Sequence, residues 1–269
     1  MLTILFDGIA YGMLLFVLAC GLAVTLGLMN FVNLAHGAFA MAGGYLTVIL
    51  MNGYGVSFFL CLPAAFLVAA ALGAVLERTL YRHLYDRSHL DQVLFSVGLI
   101  FIAISAIDFF MGARQQIVTL PGVLRGRVEI FGVPIGVSRL FIIAMCALIM
   151  IALQYVLAYT RFGSRLRAAV DDGRVARGLG INVGGALGAD ILGLDPTFPL
   201  RFMIYFLIVV TVGGTSSITG PFIASLILGV ADVAGKYYFP SVGSFVIYAV
   251  TVGLLLWRPY GLLARENAR

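Results

Sequence analysis

RFGSRLRAAVDDGRVARGLGINV, residues 161–183, is the one long polar interruption in the second half of an otherwise apolar sequence. It carries five arginines and no lysine. Apolar segments run into and out of it. Because basic residues concentrate in the short loops left on the cytoplasmic side of a membrane, this loop is expected to face the cytoplasm. The orientation of the other segments follows from that placement.

Composition agrees with a membrane setting. Of 269 residues, 62% are hydrophobic and 11% are charged, with a mean hydropathy of +1.07, which leaves too little charge to cover a soluble domain. Apolar runs of about 20 residues recur, each long enough to cross roughly 30 Å of hydrocarbon. The fold class is therefore all-α: a polytopic helical membrane protein, one transmembrane domain over residues 1–269, with about eight membrane segments. The net charge of +5 sits mostly in short loops, where it sets topology and indicates no nucleic-acid partner. Cys20, Cys61 and Cys146 fall inside apolar runs without paired spacing and read as packing residues. The N-terminus lacks a basic flank and a small-residue cleavage site, so the first run is expected to stay as a helix.

That first helix, about Ile4 to Met29, carries Gly8, Gly12, Gly21 and Gly27, which predicts close packing among neighbouring helices. It ends in NFVNLAHGAFAMAGGYL, where Asn30, Asn33 and His36 arrive at or near membrane depth. Two readings are open. The asparagines cap helix ends with His36 in an interfacial hydrogen bond, or the break exposes polar groups to a water-filled pathway. The small residues that follow, including Gly43 and Gly44, allow a tight helix crossing in either case.

An apolar segment, about Val56 to Leu76, leads into ERTLYRHLYDRSHLDQ, a mixed loop whose arginines again favour the cytoplasm. Helices over about Val93–Met111 and Leu140–Tyr159 flank residues 112–139, where alternating residues and Gly and Pro turn signals predict a short external hairpin. That loop is read either as a docking surface for an extracytoplasmic partner or as a simple cover. Within 161–183 a short surface helix is expected over about Ser164–Ala176, ended by Gly178 or Gly180. It is either a basic anchor at the lipid headgroups or a peg gripped by a cytoplasmic motor subunit.

A second polar break, VGGTSSITGP from Val212 to Pro221, combines Gly213, Gly214, Gly220 and Pro221 with Ser216 and Ser217 and cannot continue a regular helix. Either it is a tight turn, or it pairs with the first break so that each half of the chain contributes one interrupted helix to a translocation path. Asp232 lies within the following helix and is the one carboxylate singled out for that path. Packing against Lys236, one turn on, is its alternative role. No spacing suited to a metal, nucleotide, nucleophile or paired-carboxylate site is present, so no catalytic activity, metal or cofactor is expected.

Five stretches, NFVNLAHGAFAMAGGYL, LERTLYRHLY, RLRAAVDDGRVARGLGINV, VVTVGGTSSITGPFIASLILGVAD and LLLWRPYGLL, follow one another over nearly the whole chain. In that order they resemble the LivH-type permease subunits of ATP-binding-cassette importers for branched-chain amino acids. The resemblance implies a bacterial cytoplasmic membrane, a second homologous permease subunit, two ATP-binding subunits and a periplasmic or extracellular substrate-binding protein. It also implies that residues 161–183 contain the coupling helix. The permease pattern E-A-A, three residues, then G is met by Ala168, Ala169 and Gly173, with Arg167 in place of the acid, and Arg165 and Arg174 complete the expected ATPase contact. The two breaks and the intramembrane carboxylate, read from the residues themselves, give the candidate pathway residues: Asn30, Asn33, His36, Gly43, Gly44, Gly213, Gly214, Ser216, Ser217 and Asp232.

The sequence departs from that family after Val183. A complete membrane helix follows there in the family, whereas GGALGADILGLDPTFPL offers an apolar stretch of only about eleven residues, too short to span. Parity agrees: three candidate crossings, about Leu200–Gly214, Phe222–Tyr238 and Val242–Trp257, separate Val183 from Arg258, although both look cytoplasmic. One helix of the family is thus expected to be absent. The alternative to an importer subunit is a self-contained secondary transporter or channel for a small polar solute.

Overall fold

The computed structural model describes residues 1–130, 132–161, 194–215 and 217–263. These residues form eight α-helices and one β-hairpin: α1 (Leu2–Met29), α2 (His36–Tyr54), α3 (Phe58–Thr79), α4 (His89–Met111), β1 (Arg127–Ile130), β2 (Val133–Gly136), α5 (Val137–Tyr159), α6 (Phe198–Gly213), α7 (Thr219–Tyr238) and α8 (Gly243–Trp257). Among them α1, α3, α4 and α5 are long and apolar enough to cross a membrane, because in hydrocarbon only a helix satisfies its own backbone over such a length. The protein is a polytopic helical membrane protein, as its composition predicts.

The chain divides into two compact units. The first comprises Met1–Ala23, Pro121–Thr160 and Tyr205–Arg269; the second comprises Val24–Leu120 and Arg161–Ile204.

At the centre of the first unit is α1. Its most apolar stretch is 83% buried, against 33% for α5, and Leu14, Leu15, Phe16, Ala19 and Leu22 are fully enclosed. The reason is a groove of small residues. Gly8 and Gly12 lie on one face of α1, Ser225 and Gly229 on one face of α7, and the two backbones touch. A Cβ on Gly12 would stand 2.6 Å from the Ser225 carbonyl oxygen, and one on Gly8 would stand 2.7 Å from Val230 Cα. Apolar side chains gain nothing by leaving lipid for protein, so helix association here rests on such close van der Waals contact. Phe16 closes the groove against Phe222, edge to face, with centroids 5.2 Å apart.

The two ends of this unit differ. At one end the Asp7–Arg139 ion pair joins the start of α1 to the start of α5, and the Tyr238 hydroxyl, closing α7, donates to Met1 Sδ at 2.6 Å. The hairpin leads into α5 at this same end. Its strands pair antiparallel from Arg127↔Gly136 to Ile130↔Val133, and Gly132 takes the left-handed conformation (φ 74°) that this tight reversal needs. At the other end Gly213, Gly214 and Gly261 meet.

In the second unit α2 packs on α3 and α4. Ser88 starts α4 with a capping box: its hydroxyl accepts from the Asp91 amide while the Asp91 carboxylate accepts from the Ser88 amide. One residue further, Gln92 is buried and uses its whole amide. Its Oε1 accepts from the Val32 amide at 3.0 Å, and its Nε2 donates to the Leu84 and Arg87 carbonyls at 3.2 and 3.3 Å. A single side chain thus ties the segment after α1 to the loop before α4.

Gly12→Leu forces apart backbones already in contact and is expected to destabilise the chain by about 1–3 kcal/mol or more, lowering the unfolding midpoint in detergent. Gly98→Leu, where an added Cβ meets nothing within 4 Å, serves as the neutral control; equal effects would show that the α1–α7 contact is unimportant. Gln92→Leu removes three hydrogen bonds to part-buried backbone groups, each contributing about 0.5–1.5 kcal/mol, and is expected to lower the same midpoint by several degrees while Gln92→Glu, which keeps the acceptor, does less harm.

Candidate functional site

The first break begins where Asn30 adopts a left-handed conformation (φ 49°), which asparagine tolerates better than most residues and which turns the chain out of α1. The Phe31 amide reaches back to the Thr25 carbonyl. Asn33 Oδ1 accepts from the Ala35 amide at 3.0 Å, replacing a backbone acceptor at the start of α2, and also from the Tyr81 hydroxyl at 3.4 Å. His36 Nε2 stands 3.5 Å from Thr25 Oγ1. Both Asn33 and His36 are buried, and Asn33 Oδ1 and His36 Nε2 have protein partners. Phe31, Tyr81, Tyr85 and Phe95 pack edge to face around the break, with centroids 5.3 to 5.8 Å apart.

Gly43 and Gly44 follow on the buried side of α2, and Tyr45 beside them is enclosed, its hydroxyl without a partner among the described residues. Against the start of α2, a Cβ on Gly37 would come 2.8 Å from Pro199 Cα in the first turn of α6.

The second break lies within the first unit. Gly214 has φ 86°, and the Gly213 backbone lies directly against Gly220 and Pro221, so the chain reverses between α6 and α7 with no room for side chains. Ser217 Oγ accepts from the Gly220 amide at 3.2 Å in the first turn of α7. The segment after α8 completes the turn: Gly261 (φ 94°) packs on Gly214, and the Leu262 and Leu263 amides donate to the Val212 and Gly213 carbonyls at 2.8 and 3.4 Å. Those carbonyls close α6 and have no intrahelical donor of their own.

Asp232 faces the interior of the first unit and is 1% exposed. Its Oδ2 takes Lys236 Nζ at 2.5 Å, and its Oδ1 has no partner among the described residues. Tyr11 of α1 lies beside the pair, with Lys236 Nζ 5.6 Å from its ring centroid.

The structure therefore brings Asn33 and His36 together in one break, and Gly213, Gly214 and Ser217 in the other. Asp232 stands apart from both along the chain. Ser216 and the expected coupling residues Arg165, Arg167, Ala168, Ala169, Gly173 and Arg174 lie outside the described residues, as does the short stretch after Val183. Sequence reasoning missed Gln92, Tyr81, Tyr45 and Gly261. Among the described residues no three His, Cys, Asp or Glu side chains converge as metal ligands.

Residues 4–187 match the family described as the branched-chain amino acid transport system permease component. The chain is 27% identical to the high-affinity branched-chain amino acid transport system permease protein LivH of Salmonella typhimurium, covering 98% of this chain and 95% of the relative. It is 26% identical to the corresponding permease protein BraD of Pseudomonas aeruginosa over the same shares. A shorter stretch of 64 residues, 24% of this chain and 15% of the relative, is 41% identical to the permease protein LivM of Escherichia coli. The LivH alignment runs over 295 positions, more than this chain's 269 residues, so the relative holds residues where this chain has none. No solved structure matches. Carried by a match over most of its length and by relatives that span nearly all of it, this multi-pass membrane protein belongs to the family of permease components of branched-chain amino acid transport systems.

Proposed function

We propose that this chain is the membrane-spanning subunit of an ATP-driven importer for branched-chain or related amino acids, set in a bacterial cytoplasmic membrane. It pairs with a second homologous permease, receives substrate from a soluble binding protein outside the membrane, and takes its energy from two ATP-binding subunits gripping residues 161–183. The observation that carries the reading is the similarity to LivH-type permeases over 98% of the chain. The LivM similarity supports a related permease as the partner.

The geometry of the first unit supports the orientation. The hairpin and the RPYGLL segment from Arg258 to Leu263 lie at opposite ends of it, as an external loop and a cytoplasmic tail require. Asn30, Asn33, His36, Gly43, Gly44, Gly213, Gly214, Ser216, Ser217 and Asp232 are the proposed pathway residues, the two breaks acting as pivots whose hydrogen bonds re-form as the pathway changes sides. The excess of aligned positions over residues and a family match that ends at residue 187 support the absence of one crossing after Val183, since the excess exceeds the roughly 20 residues of a spanning helix.

In this mechanism ATP-driven closure of the motor pair pushes on residues 161–183 and tilts the helices attached to them. Ala169→Glu combined with Gly173→Pro, which adds charge and breaks a helix at the grip, is expected to reduce uptake and receptor-stimulated ATP hydrolysis in the assembled transporter at least tenfold without removing the chain from the membrane. Retention of both activities would exclude coupling through this loop. Arg174→Cys is expected to react with membrane-impermeant thiol reagents only from the cytoplasmic face; reaction in intact cells from outside would overturn the orientation.

A further inference from the structure

Asp232 is more than a helix-bound carboxylate. It is buried, yet only one of its oxygens is used, by Lys236 Nζ at 2.5 Å. An ion removed from water is strongly disfavoured unless its remaining lone pairs are also satisfied, and Asp232 Oδ1 has no partner among the described residues. An intrahelical pair four residues apart contributes weakly by itself. The arrangement therefore leaves a strong acceptor unspent at an enclosed position.

Its surroundings specify what fits there. Lys236 is about half exposed and spends one of its three ammonium donors on Asp232. Tyr11 lies beside the pair, its ring centroid 5.6 Å from Lys236 Nζ, and the Tyr205 and Tyr248 rings stand 6.5 Å apart. An aromatic ring already in contact with the lysine ammonium of the pair suits a primary ammonium group, which the negative face of such a ring attracts. The neighbouring lysine suits a carboxylate. A negative and a positive group side by side are the complement of an α-amino acid, whose ammonium and carboxylate are borne on one carbon.

We propose that Asp232 and Lys236, with Tyr11, Tyr205 and Tyr248, form a binding site for an α-amino acid zwitterion. The ligand's ammonium donates to Asp232 Oδ1 beside the tyrosine rings, and its carboxylate accepts from the spare Lys236 donors. The choice of an amino acid as ligand rests on the importer reading above. The site lies in the last two turns of α7, towards the end that carries Met1, Tyr238 and the hairpin, which in that reading is the side from which substrate arrives.

The test is thermal unfolding of the full-length chain in lipid nanodiscs with three probes: L-leucine, isopentylamine, which keeps the ammonium and lacks the carboxylate, and 4-methylpentanoate, which keeps the carboxylate and lacks the ammonium. Leucine is expected to raise the midpoint most, the amine less, and the acid not at all. The double variant Asp232→Asn with Lys236→Met removes both charges together, so no lone buried charge remains; its unliganded midpoint is expected to stay near that of the wild type and its leucine affinity to fall at least tenfold. Asp232→Asn, which leaves its former partner Lys236 at a half-exposed position, keeps the proposal testable should the double variant fail to fold, because there leucine and isopentylamine both lose most of their shift. No shift with leucine in the wild type, equal shifts with acid and amine, or an unchanged leucine shift in a folded variant lacking both charges would each reduce the pair to a structural ion pair. The readout is binding and not uptake, so a negative result here and a failure of the importer reading are separate outcomes.

Discussion

The backbone contact between α1 and α7 is the constraint on which the first unit depends. Gly8 and Gly12 oppose Ser225 and Gly229, and no side chain larger than hydrogen fits at the glycine positions. Lipid tails solvate leucine as well as a protein core does, so burying apolar side chains cannot by itself hold two membrane helices together. Contact close enough to engage many backbone atoms can. The same approach places Tyr11, next to Gly12 in sequence, beside Lys236 on α7. A packing device thus also sets the distance between the polar groups of two helices.

Both interruptions of the helical pattern obey one rule, that a backbone group at membrane depth needs a partner within the protein. At the first, Gln92 and Asn33 supply side-chain partners to the Val32 and Ala35 amides. At the second, a remote strip of backbone takes that part: the Leu262 and Leu263 amides cover the Val212 and Gly213 carbonyls. Such stitches are made of a few hydrogen bonds each, and they define the geometry of each break.

The helical membrane class was legible in the sequence because length and apolarity alone decide whether a helix can span. The hairpin was legible because alternation and Gly and Pro turn signals are local. Gln92 was not, for it sits at the edge of a polar loop and its decisive partner, Val32, is 60 residues away. Gly261 was hidden for the same reason: a glycine in RPYGLL signals a turn, and nothing local reveals that Gly214 packs on it. The readings left open at the two breaks could not be decided from residue types, because asparagine, serine and glycine serve a cap, a turn and a wet pathway equally well. Only the partners distinguish these roles.

Those partners also separate spent polarity from unspent polarity. Asn33 and His36 looked like costly groups at membrane depth, and the fold engages Asn33 Oδ1 and His36 Nε2 with its own backbone and side chains. Among the described residues the buried polar atoms that it does not satisfy are the Tyr45 hydroxyl in the second unit and Asp232 Oδ1 in the first. Each unit thus keeps one strong hydrogen-bonding atom in reserve, on a helix that directly follows a break. In a soluble core such an atom would be a defect that selection readily removes by a change to phenylalanine or asparagine. In the importer proposed above, an unspent acceptor is what a charged passenger needs in exchange for its water.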